Sequence, residues 1–196
     1  MFEEQGLSTL KLVRVGQSVR RSELDALSAR IREAFAGLLE SVDHLDYETP
    51  AVNEIEADLL TQALDEHFGG HILGITDVDL LDGSATDFFR FMFGCKDNRS
   101  HVAVVSTRRI ESRDRSRSIA RLLKVGLHEL GHNFGLVHHY DFVPAADGAY
   151  CPMTKGDYNR HGERSYLRSV IDARGFRFCD ACRRFLRLAH TATLGC

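Results

Sequence analysis

The sequence lacks the features that would place a protein in a membrane or in the secretory pathway. It contains no run of about 18 apolar residues, so we expect no membrane-spanning helix. Met1–Gly6 is acidic rather than basic and no apolar core follows it, which predicts that no signal peptide is present. Internal repeats and low-complexity segments are absent as well. We therefore expect a globular, cytoplasmic protein that does not bind a membrane.

Cysteine is also scarce. The 196 residues include five cysteines, at Cys95, Cys151, Cys179, Cys182 and Cys196. In a chain without a signal peptide, this odd number indicates reduced thiols or metal ligands rather than a disulfide framework. A chain of this length buries about 70% of its unfolded surface, so one domain with a core that does not depend on disulfides is expected.

Acidic and basic residues are divided unequally between the two halves of the chain. Residues 1–98 carry 8 Lys and Arg against 19 Asp and Glu, whereas residues 99–196 carry 17 against 9. Seven basic residues lie close together, at Arg108, Arg109, Arg113, Arg115, Arg117, Arg121 and Lys124. Together with the C-x-x-C segment Cys179–Cys182, which could bind zinc, this cluster leaves a zinc-stabilised nucleic-acid-binding module as one alternative function. We favour a solvated surface and expect no nucleic-acid partner, because the bases are mixed with acids and few aromatics lie beside them.

Hydrophobic periodicity predicts strands that alternate with helices. Strands are expected at Leu10–Val15, His44–Glu48, His71–Leu81, Phe88–Phe93 and His101–Thr107. Helices are expected at Ser22–Glu40 with Ser22 as the cap, at Glu54–Phe68, at about Ser116–Asn133, and as a short helix near Cys182–Leu188. This order predicts an α/β (α+β) fold with a mixed sheet, because the last two strands resemble a hairpin.

The third predicted helix carries a pattern of histidines typical of a metal site. His128 and His132 are four residues apart, so a helix places both on one face, where they can bind one ion. Glu129 is rotated by about 100° from the first histidine, and can take a proton from a zinc-bound water without binding the metal. Gly135 can end the helix abruptly, so that the chain turns and His138 becomes the third ligand.

The spacing of this pattern is specific. A bare H-E-x-x-H segment also occurs as two exposed histidines on an ordinary helix, but the glycine and the third histidine are typical of metzincin peptidases. Three histidines leave one position of a tetrahedral zinc open for water, as hydrolysis requires. Metzincins also have a methionine turn beneath the ligands, and Met153, after Cys151 and Pro152, is the only methionine beyond the helix. We therefore predict a zinc metallopeptidase with Glu129 as its general base.

A second group of metal ligands follows the helix. Cys179 and Cys182 form a C-x-x-C pair, which is typical of a redox pair or of half a structural zinc site. A redox pair would follow a strand and open a helix, but the residues before Cys179 are loop-like. A structural zinc needs four ligands, and Cys151 is a natural third.

Together these motifs resemble the archaemetzincin family. That family joins the metzincin segment to a C-x-M turn and a later C-x-x-C, with four cysteines that bind a second zinc. The similar segments here are His128–His138, Cys151–Met153, Cys179–Cys182, Leu73–Leu80 and Val102–Ser106. Where the family has a cysteine directly after the third histidine, this chain has His139, and imidazole replaces thiolate readily in zinc sites. We predict a structural site of His139, Cys151, Cys179 and Cys182, with Cys95, Cys196 or His161 as alternatives to His139.

The resemblance implies a compact metzincin-like fold, a twisted mixed sheet flanked by helices with a small, loop-rich, zinc-bearing C-terminal subdomain. We expect one domain over residues 1–196, with the sheet and the active-site helix in 1–135 and the Met-turn and structural zinc in 136–196. The resemblance also implies an edge strand that pairs with the substrate peptide, and Phe88–Phe93 is the candidate.

We expect two zinc ions per chain, one catalytic and one structural, a peptide or protein substrate, and a monomer. His139 and the long intervals between the motifs depart from the family pattern. They leave a further alternative, a metzincin scaffold with little or no turnover that acts as a peptide-binding protein.

Overall fold

We describe the protein from a computed structural model, which covers residues 8–16, 19–83, 91–156 and 164–194, without the side chains of 188–194. The strands in these residues are β1 (Ser8–Val15), β2 (Leu39–Tyr47), β3 (Glu54–Glu56), β4 (His71–Thr76), β5 (Asp79–Leu81), β6 (Phe91–Met92), β7 (Gly94–Lys96) and β8 (Val102–Ser106). The helices are α1 (Arg21–Ala34), α2 (Ala57–Phe68), α3 (Arg115–Asn133) and α4 (Asp180–Leu194), and a π-helical turn at Leu167–Ile171 precedes α4. Among them, no helix combines the length and the apolar composition that crossing a membrane requires.

The central sheet has five strands in the order β2-β1-β4-β8-β7. The strands run parallel except β7, which pairs antiparallel with β8 and forms one edge of the sheet. A second, three-stranded sheet has the order β3-β5-β6. The mixed α/β fold predicted from the sequence is therefore confirmed.

Helices cover both faces of the central sheet. In β8, Ala103 and Val105 join the core beneath α1 and α3, whereas Val102 and Val104 join the core beneath α2. Alternate residues of a strand point to opposite faces, so a strand that is covered on both sides is apolar throughout. This packing holds α3, which carries His128 and His132, two of the predicted zinc ligands, firmly against the sheet.

Two predicted helices begin or end elsewhere. The helix predicted at residues 22–40 ends at Ala34, because the chain turns over residues 35–38 and then enters β2, which pairs with β1. Arg20, rather than Ser22, is the cap, and the Glu23 carboxylate accepts a hydrogen bond from the backbone N–H of Arg20 at 3.2 Å. Similarly, the helix predicted from residue 54 begins at Ala57, because residues 54–56 pair with β5.

The structure also corrects the edge strand predicted at residues 88–93, for the part of that range that is described. Phe91 and Met92 pair with β5 in the smaller sheet, and residues 88–90 lie outside the described residues. The edge of the central sheet is β7 instead, in a segment for which no strand was predicted. Three residues are too few to show the alternation by which a strand is recognised in a sequence.

Two candidate metal centres

Helix α3 and the turn that follows it bring three histidines together. His128 and His132 lie one turn apart, and Gly135, with a φ of +84°, ends the helix so that the chain turns back towards them. The Nε2 atoms lie 2.9 Å apart for His132 and His138, 3.2 Å for His128 and His138, and 3.4 Å for His128 and His132. These are the residues that the sequence predicts as ligands of the catalytic zinc.

Backbone carbonyls orient two of the three rings. His128 Nδ1 donates to the Pro152 carbonyl at 2.8 Å, and His132 Nδ1 donates to the Leu136 carbonyl at 2.8 Å. A ring held through Nδ1 in this way presents the lone pair of Nε2 to the cluster. Burial lowers the pKa of His128 well below 6.5 and that of His138 to about 4. The rings are therefore neutral near pH 7, the state that binds a metal.

The spacing of the three nitrogens fits a zinc ion. Zn–N bonds of about 2.0–2.1 Å in a tetrahedron place two ligand nitrogens roughly 3.3–3.4 Å apart. The separations of 2.9, 3.2 and 3.4 Å are close to that value. All three histidines line one cleft of about 880 Å³, so the fourth position of the ion would be open to it.

Glu129 lies beside the histidines and lines the same cleft, although the residue is only 8% exposed. Burial raises its pKa to about 7, while the positive charge of Arg174 acts in the opposite direction. A carboxyl group with a pKa near neutrality both accepts and returns a proton readily at that pH. The geometry and the pKa therefore suit a general base.

The edge strand β7 packs directly on the side chain of Glu129. A Cβ atom at Gly94 would lie 2.7 Å from Cγ and 2.9 Å from Oε1 of Glu129. Only glycine leaves room for so close an approach of backbone to carboxylate. The strand that forms one wall of the cleft thus also limits where Glu129 can lie.

Met153, the residue predicted to form a methionine turn, lies beneath α3. Its side chain is fully buried and packs against Gly131, where a Cβ atom would overlap the sulfur. Backbone carbonyls of this turn contact both clusters. The Pro152 carbonyl holds His128, and the Met153 carbonyl accepts a hydrogen bond from the His139 N–H at 2.9 Å. The turn therefore lies between the two clusters.

The second cluster joins His139 to three cysteines from the C-terminal part of the chain. His139 Nε2 lies 3.1 Å from Cys182 Sγ and 3.4 Å from Cys179 Sγ. Cys151 Sγ lies 3.9 Å from Cys182 Sγ, and all four ligand atoms lie within 4.8 Å of one another. These are the four residues predicted as ligands of the structural zinc.

This spacing also fits a zinc ion. Zn–S bonds of about 2.3 Å place two sulfur atoms roughly 3.8 Å apart and a sulfur and a nitrogen roughly 3.5 Å apart. The neighbouring Cys182 thiol lowers the pKa of Cys151 to about 5, and the pKa of Cys182 is raised in turn. The lowered pKa of Cys151 favours its thiolate, which is the form that binds zinc.

Of the other residues considered for this site, only Cys95 lies within the described residues, and it does not join the cluster. Cys95 lies on β7 and lines the cleft, and burial raises the pKa of its thiol to about 12. His161 and Cys196 lie outside the described residues.

The basic cluster before and within α3 is partly used for internal ion pairs. Arg121 Nε lies 2.7 Å from Asp172 Oδ1, and Arg109 Nε lies 2.8 Å from Asp79 Oδ1. The guanidinium of Arg109 also lies over the ring of Phe91, 3.4 Å from its centroid. These two arginines stabilise the fold and are not free to bind phosphates.

Two residues beneath the cleft carry no sequence signal and were missed. Arg174 is 3% exposed, and its Nε donates to the Thr154 carbonyl at 2.8 Å. The Tyr166 hydroxyl accepts a hydrogen bond from Arg174 and donates to the Lys155 carbonyl. Both residues lie in the irregular tail, where neither periodicity nor a motif distinguishes them from surface residues.

Comparison with known proteins shows which family the chain is similar to. Residues 32–145 match the family model described as Peptidase family M54. An archaemetzincin from Aeropyrum pernix is 31% identical over 153 residues, which cover 76% of this chain and 70% of that protein. An archaemetzincin from Pyrococcus furiosus is 30% identical over 123 residues, which cover 59% of this chain and 53% of that protein.

Solved structures show the same fold. The crystal structure of an archaemetzincin from Methanopyrus kandleri superposes with a TM-score of 0.73 at 25% identity, covering 94% of this chain and 96% of that one. An archaemetzincin from Archaeoglobus fulgidus, complexed with malonate, is similar in fold, with a TM-score of 0.64 at 16% identity, covering 90% of this chain and 99% of that one.

Proposed function

The chain belongs to peptidase family M54 and is a zinc metallopeptidase, and we propose that Glu129 is its general base and that the three clustered histidines hold the catalytic zinc. The observation that carries this proposal is the triangle of Nε2 atoms, 2.9–3.4 Å on a side, with the buried carboxylate of Glu129 beside it. A peptidase acts on peptides, and the cleft of about 880 Å³ has room for several residues of one.

Each residue of the proposed site has a separate role. Zinc held by the three imidazoles would supply a Lewis acid that polarises the scissile carbonyl and lowers the pKa of a water molecule. Glu129 would accept the proton of that water on its carboxylate and then deliver it to the amine that leaves. The carbonyls of Pro152 and Leu136 hold the imidazoles of His128 and His132 in place, so that the ligands do not reorganise during the reaction.

We propose that the substrate peptide pairs with β7, rather than with the strand Phe88–Phe93 predicted from the sequence. This strand is at the edge of the central sheet and lines the cleft. An edge strand offers unpaired N–H and C=O groups, to which an extended peptide can add as a further strand. Such pairing would place a peptide carbonyl beside Glu129, because Gly94 contacts that side chain.

We also propose a second, structural zinc at His139 and the three clustered cysteines, which makes two ions per chain. This site would tie the Met-turn to the start of α4, because Cys151 precedes the turn and Cys179 precedes the helix. Residues 1–135 would then form the part with the sheet and the active-site helix. Residues 136–196 would form a smaller part that the second ion stabilises.

Removal and return of zinc test the proposed function. We expect a chelator such as 1,10-phenanthroline to abolish cleavage of a quenched-fluorescence peptide library, and added zinc to restore it, because the nucleophile depends on the ion. Activity that survives removal of all zinc, measured by elemental analysis, would contradict the proposal. Zinc-dependent peptide binding without any cleavage would instead favour the non-catalytic scaffold.

Gly94→Ala tests whether β7 positions Glu129. We expect kcat/KM to fall about 10²-fold, the cost of a misplacement of roughly 1 Å, while the zinc content stays unchanged. The reason is the approach of 2.7 Å between the added Cβ and Glu129 Cγ. In a Glu129→Gln background the same substitution should cost little further, because the group that it displaces is already inactive. Equal losses in both backgrounds would show that Gly94→Ala acts elsewhere.

A further inference from the structure

The charged residues that line the cleft are predominantly of one sign. Besides Glu129, the charged lining residues in the described part of the chain are Lys96, Lys155 and Arg174. They come from three different segments: the edge strand, the residues after the Met-turn, and the residues before α4. This cationic lining contrasts with the net charge of −3 of the whole chain. A cleft lined by one sign of charge concentrates ligands of the opposite sign.

Arg174 is the least exposed of the three cations. It is 3% exposed, yet it borders the cleft. Its hydrogen bonds go to the Thr154 carbonyl and the Tyr166 hydroxyl, and the charges of Glu129 and Cys151 attract it without forming an ion pair with it. Within the described residues it has no carboxylate in ion-pair contact, in contrast to Arg121, which pairs with Asp172 at 2.7 Å. Buried charges are normally paired, so a desolvated guanidinium at the floor of a cleft is suited to binding an anion.

We propose that Arg174, together with Lys96 and Lys155, binds a carboxylate of the peptide, so that the substrates are peptides with an acidic group near the cleaved bond. This inference rests on the proposed function and specifies its substrate class. A guanidinium binds a carboxylate through two parallel hydrogen bonds, and the two ammonium groups add attraction without fixed geometry. The carboxylate is that of an Asp or Glu side chain or of the peptide's C-terminus.

Arg174 also has a structural contact that the test must separate from this role. Its bond to the Thr154 carbonyl holds the backbone that follows Met153, so a substitution there can lower activity towards every peptide. A purely structural role would change acidic and neutral substrates alike. The informative quantity is therefore the ratio of kcat/KM between peptides that differ only in charge.

The experiment uses four quenched-fluorescence peptides of one cleavable sequence. Two have Glu and two have Gln on either side of the cleaved bond, and each pair has one free and one amidated C-terminus. We expect the zinc-loaded wild-type protein to prefer a carboxylate-bearing peptide by about tenfold or more in kcat/KM, and the preference to shrink as ionic strength rises. The Glu–Gln comparison reports a side-chain carboxylate, and the free–amidated comparison reports a C-terminal one.

Variants assign the preference to the cleft. Lys155→Gln and Lys96→Gln should each lower the ratio about threefold, and Arg174→Lys should lower it further because the fork geometry is lost. Arg99→Gln, which removes an exposed charge outside the cleft lining, is the matched control and should leave the ratio unchanged. If Arg174→Lys is poorly folded, the two lysine variants and the salt dependence still decide the question.

Peptide binding separates this inference from the proposed function. The affinity of the four peptides, labelled with fluorescein, is measured by anisotropy on the zinc-loaded Glu129→Gln variant. Tighter binding of carboxylate peptides without cleavage by the wild-type protein would support the inference and contradict the peptidase function. Cleavage with equal kcat/KM for all four peptides would overturn the inference and leave the function standing. Neither cleavage nor charge-dependent binding would overturn both.

Discussion

Glu129→Ala is expected to lower kcat by about two to four orders of magnitude and to leave the zinc content unchanged. The proposed ligands of the ion are three imidazoles, and Glu129 is not one of them. A substitution of Glu129 can therefore remove the base without removing a ligand. Glu129 is 8% exposed and lies against Gly94. The described cleft lining contains no second carboxylate that could replace it. The measurement is steady-state cleavage of a quenched peptide together with elemental analysis of the same preparation.

Two control variants test whether the effect of Glu129→Ala is specific to the proposed base. His132→Ala removes a proposed ligand and should lose both activity and one zinc ion, in contrast to Glu129→Ala. Glu111→Ala removes an exposed carboxylate outside the cleft lining and should change neither quantity. A Glu129→Ala enzyme with nearly wild-type kcat would show that another group accepts the proton.

The sequence alone could group the proposed zinc ligands because their grouping depends on local geometry. A spacing of four residues on a helix and a glycine after its last turn are properties of a short segment, and tertiary contacts do not alter them. The structure accordingly brings His128, His132 and His138 to within 3.4 Å of one another. The cysteines were grouped by their C-x-x-C spacing and by the resemblance to a family, and the structure brings them together with His139.

The walls of the cleft could not be predicted in the same way. The approach of Gly94 to Glu129 joins two segments that are 35 positions apart and depends on the pairing of β7 with β8. Nothing in the sequence distinguishes Arg174 from the other arginines of the tail, and its burial beneath the cleft depends on the fold. The first two residues of β2, Leu39 and Glu40, were predicted as the end of a helix because Leu38 continues the three- and four-residue spacing, and pairing with β1 outweighs that local pattern.

Cys179→Ser is expected to lower the zinc content from two ions to one and the melting temperature by about 6–20 °C. Cys179 is buried, and its Sγ lies 3.4 Å from His139 Nε2. Removing one partner from a buried charged site costs about 3–5 kcal/mol, and each kcal/mol corresponds to roughly 2–4 °C in a chain of this length. The substitution should also destabilise the Met-turn outside the cluster. The Cys179 N–H donates to Cys151 Sγ at 3.4 Å, and Cys151 leads into that turn.

Cys95→Ser is the matched control for this loss. Cys95 is a partly buried cysteine on β7 whose sulfur belongs to neither cluster, so its replacement should leave two zinc ions and change the melting temperature by a few degrees at most. His128 and its neighbours should still bind zinc in Cys179→Ser, because their nitrogens do not depend on the thiol. If Cys179→Ser kept both ions and its melting temperature, the four clustered residues would not be zinc ligands. If Cys95→Ser lost an ion instead, the ligand set would have to include the edge strand. Comparing the two variants by elemental analysis and thermal unfolding therefore decides which cysteines hold the second ion.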